Sequence, residues 1–231
     1  MYTSYAFAPP PRVSAAVKDS DDRFPVRRIF CVGRNYLDHV KEMGGDPQSD
    51  PPIFFTKPAD ALVASGATVG YPPQTSSLHH EVELVVALHR GGADIAAEQA
   101  LQHVYGYAVG NDLTRRDLQN EARKQGLPWD MSKGFDASAQ LGSISPVEAV
   151  GHLTDAAIWL KVNGETRQNS NVSQMIWSVP EIIAALSRFV SFQPGDLIFT
   201  GTPDGVSALA PGDHITAGVA GLGGLEFRIA A

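Results

Sequence analysis

The sequence has 231 residues, 43% of them hydrophobic and 19% charged, with a formal net charge of −7 at pH 7. This composition is ordinary for a soluble globular chain, and the negative charge argues against nucleic acid or an anionic membrane surface as the main partner. The single cysteine, Cys31, excludes an intrachain disulfide. Together with the lack of a signal-peptide pattern or a long apolar run, it predicts a cytoplasmic protein.

Residues 1–25 are expected to form an N-terminal arm and residues 26–231 a single domain, because no repeat, low-complexity tract or later linker divides the chain. Predicted strands outnumber predicted helices. The strands are expected at Arg28–Val32, Ile53–Thr56, Glu81–Leu88, Tyr105–Asn111, Ala157–Val162, Leu197–Thr200, His214–Ala217 and Leu225–Ile229. The helices are expected at Tyr36–Met43 with Asn35 as its cap, at Thr114–Gln125, and from Pro180 to Arg188.

The pair Asn163-Gly164 predicts a two-residue hairpin turn, because both residues tolerate a positive φ. The 22 glycines and 16 prolines indicate many turns. These features predict an α+β, mainly β fold, in which a rolled or sandwiched mixed sheet carries short helices.

Glu81 and Glu83 are two residues apart on a predicted strand, so their side chains lie on the same face. Val82 and Leu84 occupy the other face and are expected in the core. Buried carboxylates repel each other and lose hydration, and a hard divalent cation would remove both costs. A solvated edge strand is the alternative that this pattern leaves open.

Asp112 ends another predicted apolar strand, just before a helix, and is a candidate third ligand from a neighbouring strand. Helix capping by the same residue is the alternative. His39 and Glu42 are i and i+3 on the first predicted helix, where a carboxylate beside an imidazole can prepare a general base. Such pairs also decorate ordinary surfaces.

Arg116 and Gln119 form a second i, i+3 pair that could present a guanidinium and an amide to a carboxylate substrate, although a solvated charged helix has the same pattern. The segment Thr200–Val206 is glycine-rich but lacks the Lys-Ser/Thr ending of a nucleotide-binding P-loop. It can instead offer backbone N–H groups to an anion.

In this order along the chain, the segments resemble the fumarylacetoacetate hydrolase family. The matching stretches are Val32–Tyr36 with His39 and Glu42, Lys57-Pro58, His80–Leu84, Gly106-Tyr107, Asn111–Asp117, Lys133–Asp136, Val162–Gly164, Thr200–Val206 and Pro211–Asp213. The resemblance covers the chain from about Arg28 to Ile229 and implies the mixed β roll of that family.

The resemblance implies a homodimer and an all-oxygen site for Mg²⁺ or Mn²⁺, with Ca²⁺ as an occupant in a crystal. It assigns residues to three roles. These are metal ligation by Glu81, Glu83 and Asp112, catalysis by His39, Glu42 and Lys133, and substrate binding by Arg34, Arg116, Gln119 and Thr202.

The implied activity is hydrolysis of a carbon–carbon bond in an acylpyruvate, a small 2,4-diketo acid. The segments Phe24–Ile29 and Glu42–Pro47 look especially like fumarylpyruvate hydrolases of aromatic degradation pathways, which release fumarate and pyruvate. The alternative is decarboxylation of oxaloacetate, or decarboxylation or isomerisation of a related oxo-diacid, at the same kind of site.

Overall fold

The computed structural model describes residues 4–42 and 52–231, with the backbone alone for residues 40–42. The strands of the described residues are Ser14–Ala16 (β1), Arg23–Pro25 (β2), Arg28–Gly33 (β3), Ile53–Lys57 (β4), Leu62–Ala64 (β5), Ala67–Val69 (β6), Leu78–His79 (β7), Val82–Leu88 (β8), Val104–Asp112 (β9), Thr114–Arg115 (β10), Ala139–Leu141 (β11), Ser145–Pro146 (β12), Ala157–Val162 (β13), Glu165–Asn171 (β14), Asp196–Phe199 (β15), His214–Val219 (β16) and Leu225–Ile229 (β17). The α-helices are Leu37–Glu42 (α1), Ala97–Ala100 (α2), Arg116–Gln125 (α3), Asp130–Lys133 (α4), Val147–Val150 (α5) and Val179–Ser187 (α6). Single 3₁₀ turns occupy Ala59–Ala61, Leu101–His103 and Val172–Gln174.

The larger sheet has the strand order β4-β3-β15-β8-β9-β11-β5, and β12 pairs with β9 beside this path. It is mixed, because β15 runs parallel to β3 and antiparallel to β8. A second sheet has the order β14-β13-β16-β17-β6. Strands therefore dominate and the helices are short, which confirms the predicted α+β, mainly β class.

The larger sheet is buried on both faces, as the side-chain alternation along β8 makes plain. Leu84 and Val86 belong to an apolar cluster that includes Ile158 from the second sheet. Val85 and Ala87 belong to a different cluster on the opposite face. The predicted core face of β8 is thus confirmed. Because side chains alternate along a strand, Glu81 and Glu83 lie on the same side as Val85 and Ala87.

The N-terminal segment packs against that second face. Strands β1 and β2 form a hairpin, and Ala15 and Phe24 are buried in the same cluster as Val85. The boundary at residue 25 between an arm and a domain stays a prediction. No helix in residues 4–42 and 52–231 has the length and apolar character needed to cross a bilayer.

Three local predictions can be compared with the structure. The hairpin turn is confirmed, since Asn163 has φ 52° and Gly164 has φ 84°. The helix expected from Thr114 begins instead at Arg116, because Thr114–Arg115 pairs with β7.

The prediction that Asn35 caps the first helix is wrong. Its amide group donates to the carbonyls of Trp177 and Thr200 at 3.0 and 2.8 Å, and its Oδ1 accepts from the Trp177 N–H at 2.7 Å. Asn35 therefore connects the chain just after β3 to Thr200, which follows β15, and to Trp177. The predicted helix end at Met43 lies outside the described residues.

Candidate metal centre and substrate pocket

Glu81, Glu83 and Asp112 come together where β8 begins and β9 ends. The two strands are antiparallel, with Glu83 opposite Gly110, and the Asp112 N–H donates to the Glu81 carbonyl at 2.9 Å. All three carboxylates are buried, and one oxygen from each lies within 4.8 Å of the others. The solvated-strand and simple capping alternatives therefore do not hold.

The charge balance of this cluster fits a divalent cation. Burial raises the pKa of Glu83 well above its usual range, and the nearby Asp112 and Glu81 carboxylates raise it further. Oxygens around one small octahedral ion lie about 3–4 Å apart, and the three carboxylate oxygens here lie within 4.8 Å of one another. The all-carboxylate donor set suits Mg²⁺ or Mn²⁺, both of which prefer oxygen ligands.

Two cationic side chains hold Glu81 ionised. Burial would raise its pKa, but Lys133 and Arg116 outweigh burial and lower the pKa well below the usual range. The Lys133 Nζ lies 2.7 Å from Glu81 Oε2 and 2.7 Å from Asp112 Oδ2. Burial lowers the pKa of Lys133, yet these two carboxylates raise it overall, so Lys133 stays protonated.

Lys57 supports the same cluster from the end of β4. Its Nζ lies 2.7 Å from Asp112 Oδ1, and it donates to the carbonyl of Leu113 at 3.1 Å and to the carbonyl of Lys133. The side chain is buried. Sequence reasoning noted this residue only within a matching stretch and gave it no role, because no local pattern places a strand-end lysine beside Asp112.

The loop after β15 holds Glu83. The Gly201 N–H donates to Glu83 Oε2 at 2.7 Å, so this backbone donor serves a protein carboxylate. Gly201 has φ +96°, and a Cβ added there would lie 2.8 Å from the Asn35 Cβ, so a side chain is excluded. The next residue, Thr202, is buried and lines the pocket.

A single pocket contains nearly all the remaining predicted residues. The predicted residues that line it are Arg34, His39, Glu81, Glu83, Arg116, Gln119, Lys133 and Thr202. Asp112 is fully buried beside Glu81 and does not line the pocket. The Glu42 side chain lies outside the described residues, so its predicted pairing with His39 stays a prediction.

The predicted pair on α3 forms a hydrogen bond. Arg116 donates through Nη1 to Gln119 Oε1 at 2.5 Å and through Nη2 to Glu81 Oε1. The Arg116 Nε is buried and has no hydrogen-bond partner among the described residues. Both side chains are buried, which rules out the alternative of a solvated helix face at these two positions.

Two buried residues near the site escaped the sequence reasoning. The Tyr36 hydroxyl has no hydrogen-bond partner within the described ranges, and burial, with a further contribution from Glu83, raises the pKa of Tyr36. Gln168 reaches Thr202 from the second sheet. A lone tyrosine after Asn35 and a glutamine in a polar strand carry no local signal of such a location.

Comparisons with known proteins agree with this geometry. The profile described as fumarylacetoacetate (FAA) hydrolase C-terminal matches residues 28–230. The crystal structure of fumarylpyruvate hydrolase from Pseudomonas aeruginosa in complex with Mn²⁺ and pyruvate superposes with a TM-score of 0.97 at 52% identity, covering 98% of this chain and 99% of that chain. A structural relative with Mn²⁺ supports the metal dependence predicted from the sequence.

Two curated relatives are named for two different activities. Fumarylpyruvate hydrolase of Ralstonia sp is 46% identical over 184 residues, which are 80% of this chain and 95% of the relative. The mitochondrial oxaloacetate tautomerase FAHD1 of Rattus norvegicus is 43% identical over 203 residues, 88% of this chain and 91% of the relative. With a profile match over nearly the whole chain and relatives at these identities, the chain belongs to the fumarylacetoacetate hydrolase family.

Proposed function

We propose that this enzyme is a metal-dependent acylpyruvate hydrolase, and that its substrate is fumarylpyruvate, cleaved to fumarate and pyruvate. The observation that carries the proposal is the buried trio Glu81, Glu83 and Asp112, with the Lys133 ammonium 2.7 Å from two of its carboxylates. The relative named fumarylpyruvate hydrolase, solved with Mn²⁺ and pyruvate at 52% identity, supports the choice of substrate.

In this proposal Glu81, Glu83 and Asp112 hold Mg²⁺ or Mn²⁺. When bound, such an ion acts as a Lewis acid that polarises the carboxylate and keto oxygens of a 2-oxo acid. The protein's own contribution is to hold the three carboxylates together through Lys57, Lys133, Arg116 and the Gly201 N–H, and to keep Glu81 ionised through Lys133 and Arg116.

The substrate carboxylate would lie against α3. Arg116 already donates to Glu81 and Gln119, which leaves its buried Nε–H for an added acceptor. Because Gln119 Oε1 accepts from Arg116, the amide NH₂ of Gln119 is the group that it can offer as a donor. Arg34 and Thr202 line the same pocket and complete the proposed substrate contacts.

The hydrolytic step needs a base and a cation. His39, buried at the pocket wall, together with Glu42, would take a proton from water as the water oxygen attacks the 4-carbonyl carbon. The Lys133 ammonium would stabilise the oxyanion that forms there. The bond between C3 and C4 then breaks, its electron pair stays on C3, and a proton delivered to C3 completes pyruvate beside the free acid.

A second candidate is chemistry on oxaloacetate. The relative named oxaloacetate tautomerase, 43% identical over 88% of this chain, favours it. Tautomerisation or decarboxylation of an oxo-diacid could use the same metal and cationic groups without water attack on a carbonyl. Retention of such activity in Glu42→Gln and His39→Asn variants that hydrolyse no acylpyruvate would support this candidate.

The direct test presents purified enzyme, loaded with Mg²⁺ or Mn²⁺, with fumarylpyruvate, acetylpyruvate and oxaloacetate in parallel. Pyruvate release and the ultraviolet absorbance of the enol forms are followed, and a chelator-treated sample is the control. We expect fumarylpyruvate to give the highest kcat/KM and the chelator to abolish it. Activity on oxaloacetate alone would contradict the proposal.

We also propose that the chain forms a homodimer, as the family resemblance implies. Light scattering after size exclusion should then give about twice the 24.7 kDa mass of one chain. A mass equal to one chain would contradict this part of the proposal. The cytoplasmic location stays a prediction from the sequence.

A further inference from the structure

Gln168 is a buried amide in an otherwise exposed stretch of β14. Its neighbours Arg167 and Asn169 are exposed, whereas Gln168 is 0% exposed. Its side chain reaches out of the second sheet toward the start of β8 and the loop after β15. A buried amide is costly unless its donors and acceptor are satisfied, so its partners indicate what it does there.

The orientation of this amide is fixed by its partners. The Nε2 group donates to the Pro203 carbonyl at 2.9 Å and to Thr202 Oγ1 at 2.8 Å. A carbonyl oxygen can only accept, so the NH₂ end must face the loop. The Oε1 end then accepts from the Val82 N–H at 3.0 Å and from His80 Nδ1 at 3.0 Å.

This orientation of the Gln168 amide fixes which group donates in each of the neighbouring hydrogen bonds. Because Gln168 Oε1 accepts, the proton of a neutral His80 lies on Nδ1, and its Nε2 accepts from the Ser207 hydroxyl at 2.9 Å. At the other end Thr202 Oγ1 accepts from Gln168, so the hydroxyl hydrogen of Thr202 is left for another acceptor. The direction of donation thus runs from Ser207 through His80 and Gln168 to Thr202.

Thr202 is 3% exposed and lines the pocket that contains Glu81, Glu83 and Lys133. We propose that Gln168 is a positioning residue that commits the Thr202 hydroxyl to donate its hydrogen to an anionic oxygen of the substrate. This inference rests on the proposed function to the extent that Thr202 contacts a 2-oxo acid. It adds a residue, from the second sheet, that acts through Thr202 and does not itself touch the substrate.

A purely structural role for Gln168 makes different predictions. Gln168 is bonded to the N–H of Val82, which lies between Glu81 and Glu83 in the sequence, so a structural cross-link would affect metal binding and folding. A positioning role would change ligand affinity, and only while the Thr202 hydroxyl is present. A double-mutant cycle separates these two effects.

The cycle uses the Mn²⁺-loaded enzyme and pyruvate as the probe, with dissociation constants from calorimetry. The variants are Thr202→Val, Gln168→Met and the double mutant, with Thr202→Ser as the control that keeps the hydroxyl. We expect each single change to weaken pyruvate binding about tenfold, because a hydrogen bond to a charged group is lost. In the Thr202→Val background, Gln168→Met should change the dissociation constant for pyruvate by less than about twofold. The Mn²⁺ dissociation constant should stay the same.

Additive losses in the double mutant, or equal loss of Mn²⁺ affinity in Gln168→Met, would overturn the inference. Failure of the unmodified enzyme to bind pyruvate would instead count against the proposed function. If Gln168→Met does not fold, a crystal structure of the unmodified enzyme with Mn²⁺ and pyruvate decides. Thr202 Oγ1 should then lie within about 3.2 Å of a pyruvate oxygen, and a separation beyond hydrogen-bonding distance would overturn the inference.

Discussion

The Asp112 N–H donates to the Glu81 carbonyl at 2.9 Å, so the end of one strand is held directly beside the start of its neighbour. This bond continues the ladder between β8 and β9, and the two carboxylates therefore belong to one rigid sheet. Sites built on sheet strands hold their ligands more accurately than sites on loops. The candidate metal centre is accordingly preorganised by the fold.

Removing one ligand should abolish tight metal binding. We expect Asp112→Asn to weaken Mn²⁺ binding by more than about 100-fold, because changes in groups that merely orient ligands already cost 10–100-fold. Calorimetric titration with Mn²⁺ measures this. The exposed Asp60→Asn variant is the matched control and should bind Mn²⁺ normally. Equal affinities for both variants would argue against Asp112 as a ligand.

Loss of Lys57 should destabilise the fold. Its Nζ pairs with Asp112 in full burial and also satisfies the Leu113 and Lys133 carbonyls. Breaking a buried ion pair by removing one partner typically costs about 3–5 kcal/mol, and Lys57→Met should lower the free energy of unfolding by that order. Urea unfolding of this variant beside the exposed Lys18→Met variant tests the point, and equal stabilities would contradict it.

Acid should destabilise the protein through His80. Burial lowers the pKa of His80 to about 4 from the usual 6.5, so between these values the unfolded chain binds a proton that the folded chain does not. Stability is therefore full above about pH 6.5 and falls as the pH drops toward 4.

The free energy of unfolding, measured with chelator present from pH 7.5 to 4, should show this fall. His80→Asn can keep a donor to Gln168 but cannot titrate, so its curve should be flatter over the same range. Identical slopes for the two proteins would exclude His80 as the source.

Lys133 should matter for turnover. Its ammonium is buried, protonated and 2.7 Å from Glu81 and Asp112, and it is the cation proposed to stabilise the oxyanion. Replacing it with Met at saturating metal and substrate should lower kcat by about 10²–10³. Steady-state kinetics measure this, with Lys161→Met on the second sheet as the control. An unchanged kcat in Lys133→Met would remove Lys133 from the mechanism.

Local pattern was enough to predict the main strands and to suggest candidate metal ligands, which the family resemblance then assigned. Alternation along β8 puts Glu81 and Glu83 on one face, and an acidic residue at the end of a buried strand suggested Asp112. The roles proposed for His39, Lys133 and the predicted substrate-binding residues came from the family resemblance, and the structure brings His39 and Lys133 into the same pocket.

Residues that act across the fold were not predictable in this way. Lys57 contacts Asp112 from β4, and Gln168 contacts Thr202 from the other sheet. Asn35 looked like a helix cap because asparagine before a helical segment usually is one. Its amide instead bonds to backbone groups of Trp177 and Thr200, far along the sequence, and only the folded chain brings them together.

The most direct test of this account is anomalous scattering from crystals of the protein grown with Mn²⁺. One strong peak per chain is expected beside the start of β8 and the end of β9, with oxygens of Glu81, Glu83 and Asp112 each about 2.0–2.3 Å away. A peak at any other place, or one that lacks any of these three carboxylates as a ligand, would contradict the account.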